Sequence, residues 1–171
     1  MAVVFDDTIR ALIDVEFDQA AWLPAVEVPD KGRQSSDAGI PFTAQLLACV
    51  PPIPAIEVLW RVFLERVDPV TKVIHVPTFR MRIVDAMNDF TNVPLDTVAL
   101  LFSIFLTASG SLSRQEYWDM LGQSKSDAID DFTLGFKLAL TEKNYLKNLN
   151  LEVLRSLTLY SFRQTTRILK C

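Results

Sequence analysis

Glycine is scarce in this 171-residue chain, with five in all. No G-x-x-x-x-G-K or G-x-G-x-x-G loop occurs, which weighs against the common nucleotide-binding enzymes. Histidine occurs once, at His75, and cysteine twice, at Cys49 and Cys171. Without a C-x-x-C, and with one histidine, no Cys/His zinc site can be completed from these residues. Two thiols this far apart suit a reducing compartment. Basic excess is also lacking: 17 Lys and Arg stand against 21 Asp and Glu, for a net charge of −4. A domain that grips nucleic acid is usually basic, because phosphate neutralisation drives the binding. The N-terminus has no basic n-region, so a secretory signal is not expected. The most apolar run, Val98 to Leu106, falls well short of the roughly 20 residues needed to cross a bilayer. Runs that alternate apolar and polar residues are few, which argues against an all-β chain.

Hydrophobic residues, at 50%, outnumber charged ones, at 22%. That balance, at this length, predicts one domain with a substantial core. Ile9, Leu12, Ile13 and Phe17 recur at helical spacing and predict a short N-terminal helix over residues 6–18. Residues 24–40, with Pro24, Pro29, Gly32 and Gly39, read as a linker. The division is therefore an N-terminal helix and linker over 1–40 and a helical domain over 41–171. Thr43 to Val50 forms one or two helical turns, stopped by Pro51-Pro52.

Pro54 opens a helix in which Ile56, Leu59, Trp60, Phe63, Leu64 and Val67 keep an unbroken 3.6-residue spacing, with Glu57, Arg61 and Glu65 opposite. Pro69 is expected to end it, because a residue before proline avoids the α region. Val73, Ile74 and Val76 follow as an extended connector. Pro77-Thr78 begins the next helix, whose apolar face is Phe79, Ile83, Ala86, Met87 and Phe90.

The helix after Pro94 is apolar nearly all round and so belongs at the centre, with Gly110 as its stop. Ser113 to Glu116 spells a capping box, closed at Gly122. A second box-like start at Ser124 leads a helix with Ile129, Phe132, Phe136, Ala139 and Leu140 on one face. A last helix runs from Leu151 to at least Ile168. The prediction is an all-α, irregular bundle of about seven helices, the N-terminal part of a larger helical domain or a shortened relative of one.

Several residues carry candidate chemistry. His75 lacks a nucleophile or a nearby acid other than Asp68, so a half-buried structural histidine is expected. Asp127, Asp130 and Asp131 form D-x-x-D-D, which on a helix presents carboxylates on a shared face suited to Mg²⁺. An acidic first turn matched to the helix dipole explains the same three residues. Asp85 and Asp89 are mildly repulsive and read as a solvated face. Arg163, Arg167 and Lys170 share a side of the last helix and complement its dipole or meet an acidic partner. The aromatic residues form ordinary core or line a pocket for a small apolar ligand.

The stretch LWRVFLERVDPVTKVIHVPTF, residues 59–79, resembles the opening of the fungal-specific transcription factor domain. This is the regulatory middle homology region of fungal zinc binuclear cluster regulators. Leu59, Trp60, Phe63, Leu64, Val67, Pro69, Lys72, His75, Pro77 and Thr78 fit that hallmark in register. Residues 98–129 and 149–160 resemble later parts of the domain, so the likeness covers about residues 40–170.

The resemblance implies a nuclear, non-enzymatic regulatory domain. It would work with protein partners or the remainder of a longer regulator and reach DNA only through a separate zinc cluster absent here. The hallmark residues are expected to be structural. Two alternatives stand beside it. One is a magnesium-dependent, terpene cyclase-like enzyme using Asp127, Asp130 and Asp131. The other is a truncated regulator that pairs with a full-length partner or with itself.

Overall fold

In the computed structural model of the protein, residues 41–143 and 150–168 are described. The predicted helix at 6–18, the linker and the division at residue 40 lie outside them. Among the described residues the fold is all-α, as the periodicities predict. The helices are α1 (Phe42–Ala48), α2 (three consecutive segments, Ile53–Val62, Phe63–Val67 and Asp68–Thr71), α3 (Val76–Asn88), α4 (Leu95–Ser111), α5 (Arg114–Leu121), α6 (Lys125–Lys143) and α7 (Leu151–Ile168). A 3₁₀ turn, Phe90–Asn92, separates α3 from α4. No single helix among the described residues is long and apolar enough to cross a membrane.

α4 is the centre. Thirteen consecutive residues, Thr97 to Ser109, are all buried. α2, α6 and α7 pack around it. Two of the polar residues inside this run turn their hydroxyls back on the helix. Ser103 Oγ donates to Leu100 O at 2.7 Å and Thr107 Oγ1 to Ser103 O at 2.9 Å, which removes the cost of burying them. Phe102 meets Phe105 edge-on and Phe132 of α6 at a tilt. Its ring fits over Gly135, where an added Cβ would stand 2.7 Å from Phe102 Cε1. Phe136 of α6 stacks on Tyr160 of α7, with ring centroids 4.7 Å apart.

Two expectations about helix ends need correction. Pro69 does not end α2. The helix widens to π-geometry over Phe63–Val67, Asp68 N–H donates to Phe63 O, and Asp68 itself is right-handed helical at φ −56°, ψ −40°. The π-turn shifts the hydrogen-bond register ahead of the proline, which has no N–H to contribute, and the helix continues to Thr71. It stops at Lys72, left-handed at φ 48°, the one non-glycine residue with positive φ among those described.

Gly110 is not a stop either, since α4 runs on to Ser111. The Gly110 backbone instead leaves room for the Arg163 side chain, whose Cγ would lie 3.6 Å from a Cβ there. Arg163 is accordingly buried rather than part of an exposed basic face. The side chains of Arg167 and Lys170 lie outside the described residues. Gly122 does close α5 as expected, at φ 66° with its N–H on Trp118 O.

Candidate functional site

The hallmark residues gather at the elbow between α2 and α3. Leu59 and Phe63 are fully buried and Val67 nearly so, while Trp60 and Leu64 are half-buried. Trp60 stacks on Phe63 at 5.7 Å and tilts against Phe79 at 5.9 Å, so one indole ties α2 to α3 across the bend. Ile74 is buried in the connector, between half-buried Val73 and exposed His75. Pro69, Lys72, His75, Pro77 and Thr78 are exposed.

His75 is thus not half-buried. Its backbone supplies the N-cap of α3, its carbonyl accepts from Phe79 N, and its Nδ1 lies 2.8 Å from Thr78 Oγ1 in the first turn. Among the described residues the group that this ring meets is the Thr78 hydroxyl. Asp68, beside the proline, is 6% exposed. Its Oδ2 accepts from Lys72 Nζ at 3.2 Å, and its Oδ1 has no partner.

On the other side of α2, Arg66 leaves the π-turn toward the α4–α5 joint. Its Nη2 is 2.9 Å from Glu116 Oε1 and its Nη1 donates to Ser111 O at 3.3 Å. Glu116 also completes the predicted capping box: its Oε2 accepts from Ser113 N at 2.6 Å, while Ser113 Oγ accepts from Glu116 N at 3.1 Å. The Arg66 hydrogen bond and then the two from Ser113 hold the Glu116 carboxyl at about 2, against an ordinary 4.5. The same hydrogen bond raises the Arg66 guanidinium.

Lys125 Nζ reaches back to Leu112 O, anchoring the start of α6 to the same joint. Inside it, the Tyr117 hydroxyl faces Ser109; burial raises the phenol and the serine partly offsets this.

A cleft of about 620 Å³ opens between α3, the 3₁₀ turn and the starts of α4 and α7. Arg82 and Asp85 line it from one face of α3, at i and i+3, and Asp89 from just past the end of that helix. Asp96 of α4 and Glu152 of α7 line the opposite side. Arg82 Nη1 binds Glu152 Oε1 at 2.8 Å, and Asn150 Nδ2 donates to Asp96 Oδ2 at 2.6 Å. Glu152 Oε2 is buried without a partner. Hydrogen bonds from the Thr91 side chain, the Asn92 side chain and the Thr91 backbone lower the Asp89 carboxyl. The walls therefore carry four carboxylates and one guanidinium, a field that repels phosphate and favours cations.

The Asp85–Asp89 pair, expected on a solvated face, does turn outward, but into this cleft. Arg82 and Glu152 had no signal in the sequence, because their partners are distant along the chain. The cleft has no aromatic wall. Phe102, Phe105 and Phe132 pack on one another.

Asp127, Asp130 and Asp131 are exposed on the first turns of α6, away from the cleft. The described residues hold no cluster of three or more His, Cys, Asp or Glu arranged to bind a metal. Asp131 adds to burial in raising the thiol of Cys49, at the end of α1.

The chain is similar to fungal transcriptional regulators. It is 34% identical to transcriptional regulator nsrM of Aspergillus novofumigatus over 153 residues, 86% of this chain and 22% of that protein. Over 102 residues, 60% of this chain, it is 33% identical to the aurofusarin cluster transcription factor aurR2 of Gibberella zeae, of which 15% is covered. Over the same length it is 37% identical to the pyriculol/pyriculariol biosynthesis cluster transcription factor 1 of Pyricularia oryzae, of which 14% is covered. The chain thus spans less than a quarter of the length of these curated relatives. No family model matches it, and no solved structure does.

Proposed function

We propose that this chain is a regulatory and interaction module of a nuclear fungal transcription regulator, one that sets activity rather than contacting DNA. The likeness to nsrM across 86% of the chain carries this. The other relatives, named for biosynthesis clusters, favour control of secondary metabolism.

Charge supports the second half of the proposal. The chain carries a net charge of −4, and the cleft between α3, α4 and α7 is walled mainly by carboxylates. DNA affinity grows with the number of phosphates neutralised, so such a surface works against it. The chain's two cysteines cannot supply a binuclear zinc cluster, and DNA contact would come from another segment or another protein. A helical module of this kind acts by having two arrangements that a partner binds unequally.

The test has two arms. Residues 1–171 are expected to give no sequence-specific gel shift at moderate salt. Fused between a heterologous DNA-binding domain and an activation domain, the chain is expected to change reporter output. A specific shift overturns the proposal, and so does reporter output identical to that of a fusion lacking the chain.

A further inference from the structure

The end of α2 collects several departures from regular helix geometry. The helix widens before Pro69, Asp68 is helical where a pre-proline residue resists it, and Lys72 adopts a left-handed backbone that L-residues other than Asn and Asp rarely take. At this same place an almost fully buried carboxylate is paired with one exposed amine. Asp68 has a single side-chain partner, Lys72 Nζ, and an orphaned Oδ1, while the Lys72 side chain is 71% exposed. A buried charge held by one accessible countercharge is a latch that surface chemistry can open.

We propose that Lys72 is a modification site, where acyl transfer to Nζ from an acyl thioester releases the α2–α3 elbow. The neutral amine attacks the thioester carbonyl, a C–N bond forms, the C–S bond breaks, and the leaving thiolate takes the proton. The resulting amide carries no charge, so Asp68 is left buried and uncompensated. The turn at 68–72 yields first, because Pro69 donates no backbone hydrogen bond there and opening relieves the left-handed Lys72. Trp60 and Phe79, which bridge the bend, transmit the change to α3.

The experiment installs Nε-acetyl-lysine at position 72 of the whole chain and follows amide hydrogen exchange over residues 71–74. Exchange is expected to rise about tenfold, to be unchanged in Lys72→Arg, and to gain nothing from acetylation in an Asp68→Asn background. Unchanged exchange on acetylation overturns the latch, as does an equal rise in Asp68→Asn. Mass spectrometry of the chain purified from its producing cells is expected to find an acylated fraction at Lys72, and a wholly unmodified Lys72 overturns the modification. Neither readout involves transcription, so failure here is distinct from failure of the regulatory role.

Discussion

α4 and the elbow at the end of α2 are neighbours governed by different physics. Along α4, thirteen residues in a row are buried, and Ser103 and Thr107 donate their hydroxyls to carbonyls of the same helix. Identity there is set by volume. At the elbow, half of the distinctive residues face solvent, and identity is set by backbone geometry, a capping carbonyl and two ion pairs. A rod held by packing should ignore salt and pH. A bend held by charge should respond to both.

The sharpest way to break that comparison is Phe102→Ala. Phe102 is fully buried, and its loss should cost about 3–5 kcal/mol in urea unfolding, with no change in the pH dependence. If the cost varies strongly with pH, the core is not the apolar rod described. Next is Gly135→Ala. A helix-interior glycine normally gains about 1 kcal/mol on becoming alanine. Here the Cβ meets the Phe102 ring, so a net loss of about 1–3 kcal/mol is expected, partly recovered in the double variant Gly135→Ala/Phe102→Leu. A stabilised single variant would mean that α6 slides freely on α4.

On the charged side, Ser113→Ala removes the cap of α5 and should cost about 1 kcal/mol by thermal or urea unfolding. The smallest effect is the most diagnostic. The Glu116 carboxyl is held at about 2 in the folded chain, below its ordinary 4.5. The stability it contributes is complete above about 4.5 and is lost as pH falls through about 2. Acid titration of unfolding should therefore show a decline across that window, and Arg66→Ala should flatten it. A slope indifferent to Arg66 would detach the elbow from the α4–α5 joint.

Local signals account for what the sequence disclosed. The periodicity of Ile56, Leu59, Phe63 and Val67, the all-apolar run of α4, and the capping pair Ser113 and Glu116 each act within one helix, so each was legible. Pro69 misled because the pre-proline preference is local, whereas the π-turn that defeats it is sustained by burial of Phe63 and Val67 on either side. Gly110 misled in the same way: its neighbour Arg163 arrives from another helix. The cleft was invisible for that reason too, since Arg82 meets Glu152 and Asp96 meets Asn150 only after α3, α4 and α7 have docked.

The notch at Gly135 has one more consequence. A one-turn ratchet of α6 along α4 would bring Asp131 and Phe132, or Leu138 and Ala139, under the Phe102 ring in place of the missing side chain. None of these leaves the gap that the ring occupies, so the two longest-buried surfaces are locked in a single register, like a key in its ward. Any sliding between these two helices is then blocked, and a rearrangement among the described residues would have to come from a bend such as the one at Lys72.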